Sequence, residues 1–308
     1  MSSVKIFSAT ASLYLAEKIA FCYGKPLGNL TVERFSDGEI SPHFNESIRG
    51  CDVYLIQSTF PPAENILELL LMIDGAKRAS ANSVTVLIPY FGYARSDRKD
   101  KPRVAIGARL IANLLSAAGA DRVVTCELHA DQIQGFFDIP VVHLQTSPIF
   151  VPYLQSLRVD NVLFAAPDVG SVKRARAYAK YFKTEMVICD KIRSKANEIE
   201  SMQVIGDVSG ANVVLVDDLI DTAGTMCGAA NVLMEKGAKS VRAICTHPVL
   251  SGKAYERIEN SALEEVVVTD TMPLRKECSK IKVLSVADLF AKAIRKINDN
   301  ESISSLFI

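Results

Sequence analysis

The chain has 308 residues, 49% of them apolar, and its 35 basic and 35 acidic side chains give a formal net charge of zero. That length predicts two domains, and the charge balance argues against a nucleic-acid platform as its main role. Seven cysteines without a CxxC pair, no apolar signal segment in MSSVKIFSAT and no apolar run near the ~20 residues of a membrane span predict a soluble cytoplasmic protein with free thiols.

Apolar strand-like runs alternate with amphipathic helical patterns along most of the chain. Strands are predicted near Val53–Gln57, Ser83–Ile88, Arg122–Cys126, Asn161–Ala166, Thr184–Ile188, Val213–Val216, Val241–Cys245 and Glu265–Val268. Helices fall between them, among them Ile66–Ala79 and Ala105–Ala118, with Gly119 and Gly237 placed where glycines end helices. The alternation predicts an α/β protein of mostly parallel sheets flanked by helices. The segment Asp52–Thr59 follows a glycine just as Asn212–Leu219 follows Gly210, and ANSVTVLIPYF resembles GAKSVRAICTHPV in outline. We read two similar units, 1–147 and 148–284, joined near Thr146-Ser147-Pro148, with 285–308 packing back on the first.

Several stretches carry chemistry. Asp37-Gly38 predicts a turn presenting Phe35, Asp37 and Glu39, an aromatic face with carboxylate acceptors that suits a purine. The cations of Tyr93–Arg103 read either as a solvated loop or as a polyphosphate site beyond a strand's carboxyl end. His129 and Asp168 both follow strands, and one imidazole plus one carboxylate, completed by water and phosphate oxygens, is a way to hold Mg²⁺. The basic run Lys191-Ile192-Arg193-Ser194-Lys195 reads as a flap that places cations on a transition state, or as a soluble loop. In ANVVLVDDLIDTAGT a buried strand is predicted to stop at Asp217 and Asp218. There the residues Asp221, Thr222, Ala223, Gly224 and Thr225 lead into a helix from Met226. Amide and hydroxyl donors at a helix N-terminus suit a phosphate, Gly224 permits close approach, and the paired carboxylates suit vicinal sugar hydroxyls. A plain helix cap needs less than this.

Taken in order, FSDGEI, YARSDRKDK, ELHADQIQGFFDIP, APDVGSVKRAR, DKIRSKAN and VDDLIDTAGT resemble the ribose-phosphate pyrophosphokinases (PRPP synthetases) over essentially the whole chain. The resemblance implies two similar phosphoribosyltransferase-like domains. It also implies transfer of the diphosphoryl group of Mg-ATP to the anomeric hydroxyl of ribose 5-phosphate, giving PRPP and AMP. Carried over by position, Phe35, Asp37, Glu39, Arg95, Ser96, Asp100 and His129 would bind ATP, and His129 and Asp168 the Mg²⁺. Asp217, Asp218 and 221–225 would bind ribose 5-phosphate, with Lys191 and Arg193 as catalytic cations. The resemblance further implies a homo-oligomer, typically a hexamer, whose adenine loop serves a neighbouring subunit. Ser47, Arg49, Arg103, Ser302 and Ser304 match the phosphate-dependent class, which implies activation by phosphate and inhibition by ADP.

The chain departs from the family's pattern in places. Ser96 replaces Gln, Glu127 replaces Asp, Ala166 and Ser171 make APDVGS of SPDxGG, and Ile192 stands where Arg is common. Ser171 is expected to restrict a backbone that glycine would free, and together the changes suggest altered kinetics. Competing functions are a non-catalytic regulatory relative and a type I phosphoribosyltransferase, whereas a P-loop kinase lacks its motif here.

Overall fold

The computed structural model describes residues 3–192 and 201–307. The chain divides into two compact units, Met1–Thr146 with Val286–Ile308, and Ser147–Ser285. In the first, the strands are β1 (Val4–Ser8), β2 (Leu30–Arg34), β3 (Ile40–Phe44), β4 (Asp52–Ile56), β5 (Ser83–Ile88), β6 (Arg122–Cys126) and β7 (Val141–Leu144). The helices beside them are α1 (Leu13–Tyr23), α2 (Glu64–Arg78) and α3 (Gly107–Ala118). The main sheet is wholly parallel in the order β1-β4-β5-β6-β7, and β2–β3 is a separate antiparallel hairpin. Strand β4 is buried from Val53 to Ile56 without a polar break, as expected of a parallel strand covered on both faces. Helix α2 packs Ile66, Leu69, Met72, Ile73 and Ala76 inward at helical spacing. Helix α3 ends at Gly119, whose φ of 106° lets its N–H reach the carbonyls of Leu115 and Ser116.

The second unit runs α4 (Ser147–Ser156), β8 (Val162–Ala166), α5 (Val172–Phe182), β9 (Met186–Ile192), β10 (Ser201–Ile205) and β11 (Asn212–Ile220). It continues with α6 (Gly224–Glu235), β12 (Ser240–Pro248), α7 (Ala254–Glu259), β13 (Leu263–Thr269) and β14 (Ile281–Leu284). Its seven strands lie in the order β10-β9-β8-β11-β12-β13-β14, all parallel except β10 against β9. The remaining helix, α8 (Ala287–Asn298), belongs to the first unit and packs on α1. It buries Leu289, Phe290 and Ile294, and Arg295 donates to the carbonyls of Cys22 (2.6 Å) and Tyr23 (3.0 Å). Those are the carbonyls that an ending helix leaves without an internal partner.

Three expectations are corrected. Strand β11 does not stop before Asp217; it carries both carboxylates and runs on to Ile220. Its pairing with β8 ends at Leu215↔Ala165, while pairing with β12 continues through Asp217↔Cys245 to Ile220↔Pro248. The polar tail thus stays strand because one neighbour persists. Lys191 lies in β9 and pairs with Met202 of β10, not in a loop, since an antiparallel partner extends the strand. Ser171 takes φ −91°, a conformation open to any residue, so no backbone restriction arises there. All seven cysteines are free thiols. Among the described residues no helix is long and apolar enough to cross a membrane.

Candidate active site

At the carboxyl end of the seven-stranded sheet, β8 and β11 deliver two carboxylates towards one hydroxyl. Beyond β8, Asp168 is extended and a short 3-10 turn, Val169–Ser171, leads into α5. The Ser171 hydroxyl lies 2.6 Å from Oδ1 of Asp217 and 3.3 Å from Oδ1 of Asp168. The backbone N–H of Asp218 donates to the same Oδ1 of Asp217 (2.9 Å). Asp218 is itself buried and pairs with Arg174 of α5 at 3.1 Å. Burial is the main influence on Asp217, and the charges of Asp218 and Asp168 add to it, pushing its carboxyl up to about 7 against the pull of the Ser171 hydroxyl.

The loop after β11 is held from outside. Ser251 donates its N–H to the Asp221 carbonyl (2.9 Å) and its hydroxyl to the Asp221 carboxylate. Arg257 of α7 donates to the carbonyl of Thr222 (2.8 Å). Ala223, not Gly224, has the left-handed backbone, at φ 59°. A non-glycine residue there costs on the order of 1 kcal/mol, and such strain gathers where a loop must keep one shape. Ala223 is also the N-cap of α6 and offers no side-chain acceptor, so the helix's first amide donors are not capped from that position. Backbone amides and the helix dipole at this end are of the kind that favour an anion.

The first unit holds a cavity of about 790 Å³ between α2, α3 and the loop after β5. Arg95, Ser96, Asp100 and His129 all line it, together with Tyr93 and the leucines of both helices. Sequence reasoning therefore identified four residues that the fold gathers. It did not find the apolar wall, because leucines on α2 and α3 read as ordinary core. Phe35, Asp37 and Glu39 stand apart from this cavity on the exposed tip between β2 and β3. The tip is ordered by Phe35 N–H to Glu39 O (2.9 Å) and Glu39 N–H to Asp37 Oδ1 (3.1 Å). Glu127 turns its carboxylate to the N–H and hydroxyl of Thr146 (2.8 and 3.1 Å). Ser251, Arg257 and the bridging role of Ser171 were missed, because long-range loop contacts leave no local spacing.

Ser47, Arg49, Arg103, Ser302 and Ser304 are exposed residues of the first unit. Arg49 reaches Ser80 (3.2 Å) and the Ser302 hydroxyl accepts from Ser304 N–H (3.3 Å). His129 belongs to the first unit and Asp168 to the second. Arg193 lies outside the described residues, and of the Lys191 side chain nothing is described. Among the described residues no three His, Cys, Asp or Glu side chains are grouped to hold a metal ion. The carboxylate of Asp168 fits Mg²⁺, which takes one or two carboxylates and completes its shell with water and phosphate.

The model of the N-terminal domain of ribose phosphate pyrophosphokinase matches residues 4–119, and that of the phosphoribosyl synthetase-associated domain matches 188–308. The ribose-phosphate pyrophosphokinase of Porphyromonas gingivalis is 55% identical over 307 residues, covering 99% of this chain and 98% of that protein. That of Wolinella succinogenes is 56% identical over 309 residues, covering both chains completely. The crystal structure of phosphoribosylpyrophosphate synthetase from Mycobacterium smegmatis superposes with a TM-score of 0.92 at 39% identity, over 97% of this chain and 100% of that one. With more than half the residues identical from end to end, the chain belongs to the ribose-phosphate pyrophosphokinase family.

Proposed function

We infer that this protein makes PRPP and AMP from ATP and ribose 5-phosphate as a ribose-phosphate diphosphokinase. The observation that carries this reading is the grouping of Asp168, Ser171 and Asp217, with the strained 221–225 loop following β11, at the carboxyl end of the sheet, in a chain matching the family over its full length. The 221–225 cradle takes the 5-phosphate through amide and hydroxyl donors, and Asp217 and Asp218 face the ribose hydroxyls. Arg95, Ser96, Asp100 and His129 take the nucleotide. Phe35, Asp37 and Glu39, exposed on their hairpin, serve the adenine in a neighbouring copy, within a homo-oligomer that we take to be a hexamer. Lys191 and Arg193 stabilise charge on the group in flight, since such transfers rest on positioning and electrostatics.

Members of this family typically use Mg²⁺, and here Asp168 and His129 would hold it. When bound, the ion would supply Lewis-acid charge that neutralises phosphate. Ser47, Arg49, Arg103, Ser302 and Ser304 form the phosphate and ADP site of the phosphate-dependent class, and the setting is cytoplasmic.

One assay tests these roles. AMP release from Mg-ATP is followed with and without ribose 5-phosphate, at several phosphate concentrations, for the wild type and for K191A and R49A. We expect ribose-dependent AMP matched by PRPP, a loss of at least about a hundredfold in turnover for K191A with ATP affinity kept, and a flattened phosphate response for R49A. Nucleotide binding without AMP release would instead indicate a non-catalytic relative.

A further inference from the structure

We propose that Ser171 is a positioning residue for ribose 5-phosphate, its hydroxyl tying the Asp217 carboxylate on β11 to the Asp168 carboxylate beyond β8. The inference rests on the reading of Asp217 as a sugar-binding group. Strands β8 and β11 pair only as far as Leu215↔Ala165. Past that point no ladder of backbone hydrogen bonds between these two strands fixes one carboxylate relative to the other. Ser171 spans the gap. It is 2% exposed, and its own N–H is anchored on the Asp168 carbonyl (3.2 Å), so the hydroxyl is presented from a closed turn.

The bond to Asp217 is short, 2.6 Å, as expected of a hydroxyl donating to a carboxylate. It meets the same oxygen that accepts the Asp218 N–H, and two donors on one oxygen fix the rotation of the carboxylate plane. A side chain at Gly170 would crowd Asp168, since a Cβ built there would lie 3.2 Å from its Oδ1. The Ser171 backbone, at φ −91°, makes no demand for a particular residue. The hydroxyl is therefore what distinguishes serine here from alanine or glycine. Without it the two carboxyl groups would lose the donor that ties one to the other here. The sugar would then meet acceptors that are no longer set at one spacing.

The test measures the KM for ribose 5-phosphate and for ATP, by AMP release, in wild type, S171A, S171G, S171T and D217A, and in S171A combined with D217A. We expect S171A and S171G each to raise the ribose 5-phosphate KM about tenfold, the scale of one hydrogen bond to a charged group. The ATP KM should stay within about twofold, S171T should recover most of the loss, and S171A should add less than about twofold in the D217A background. A wild-type ribose 5-phosphate KM in S171A and S171G would overturn the proposal and leave the sugar-binding reading standing. A full tenfold effect in the D217A background would also overturn it, showing that the serine acts elsewhere. An unchanged KM in D217A alone would overturn both the proposal and the reading of Asp217.

Discussion

Asp217 is under two opposing influences: burial and neighbouring carboxylates favour its neutral form, while the Ser171 hydroxyl favours the ion. The balance lies on the neutral side, with its carboxyl raised to about 7 from an ordinary value near 4. The folded chain therefore binds a proton here that the unfolded chain has already released over that interval, so stability falls as pH rises from about 4 to about 7 and levels off above. Allowing for the partial exposure of Asp217, the change is on the order of 2 kcal/mol. Urea titrations of the ligand-free protein at pH 5 and pH 8 should show it, and D217N should remove most of the difference. An equal pH dependence in D217N would assign the effect to other groups. The left-handed backbone of this loop falls on Ala223, and nothing in the local sequence marked an alanine for it.

Glycines also mark how firmly each element is held. A Cβ on Gly92 would sit 2.0 Å from the Thr59 carbonyl oxygen, whereas at Gly38, on the hairpin tip, it would meet nothing within 4 Å. Gly92 immediately precedes the loop that carries Tyr93, Arg95 and Ser96 to the cavity. G92A is expected to cost about 3 kcal/mol and raise the ATP KM at least tenfold. G38A should cost only about 1 kcal/mol, through its φ of 95°. Melting curves and ATP titrations of the two variants check the contrast. The same elements show what the sequence disclosed. Central strands such as Ser83–Ile88 and Arg122–Cys126 were legible to the residue, because burial on both faces demands an unbroken apolar run. The strands not foreseen in the main sheets, β1, β7, β10 and β14, are the four edges. Edge strands are short and tolerate polar residues, so their pattern fades into the loops around them. The 2–3 hairpin was seen only as a turn for a similar reason, since residues such as Thr31, Glu33 and His43 are exposed.

For the whole molecule, the separation of Phe35, Asp37 and Glu39 from the cavity that holds Arg95 and His129 makes the proposed assembly testable. A chain carrying F35A and D37A and a chain carrying K191A should each be nearly inactive alone. Co-expressed, they should recover activity if the hairpin of one copy serves the site of another, because some sites then combine an intact hairpin with an intact lysine. No recovery in mixed oligomers would place the hairpin's action within its own chain. The family was legible from six motifs because each is a local run, whereas the contacts of Ser251 and Arg257 to the 221–225 loop span about 30 residues of sequence and emerge only on folding.

The return of α8 to α1 has a consequence for synthesis. The face of α1 that α8 covers, and the terminal carbonyls that Arg295 receives, cannot be completed until the entire second unit has been translated. A nascent chain on the ribosome thus carries an N-terminal unit with an open apolar seam while about 140 further residues emerge. At bacterial or eukaryotic elongation rates of 5–20 residues per second that is on the order of ten seconds or more. The first unit to be made is the last to be closed.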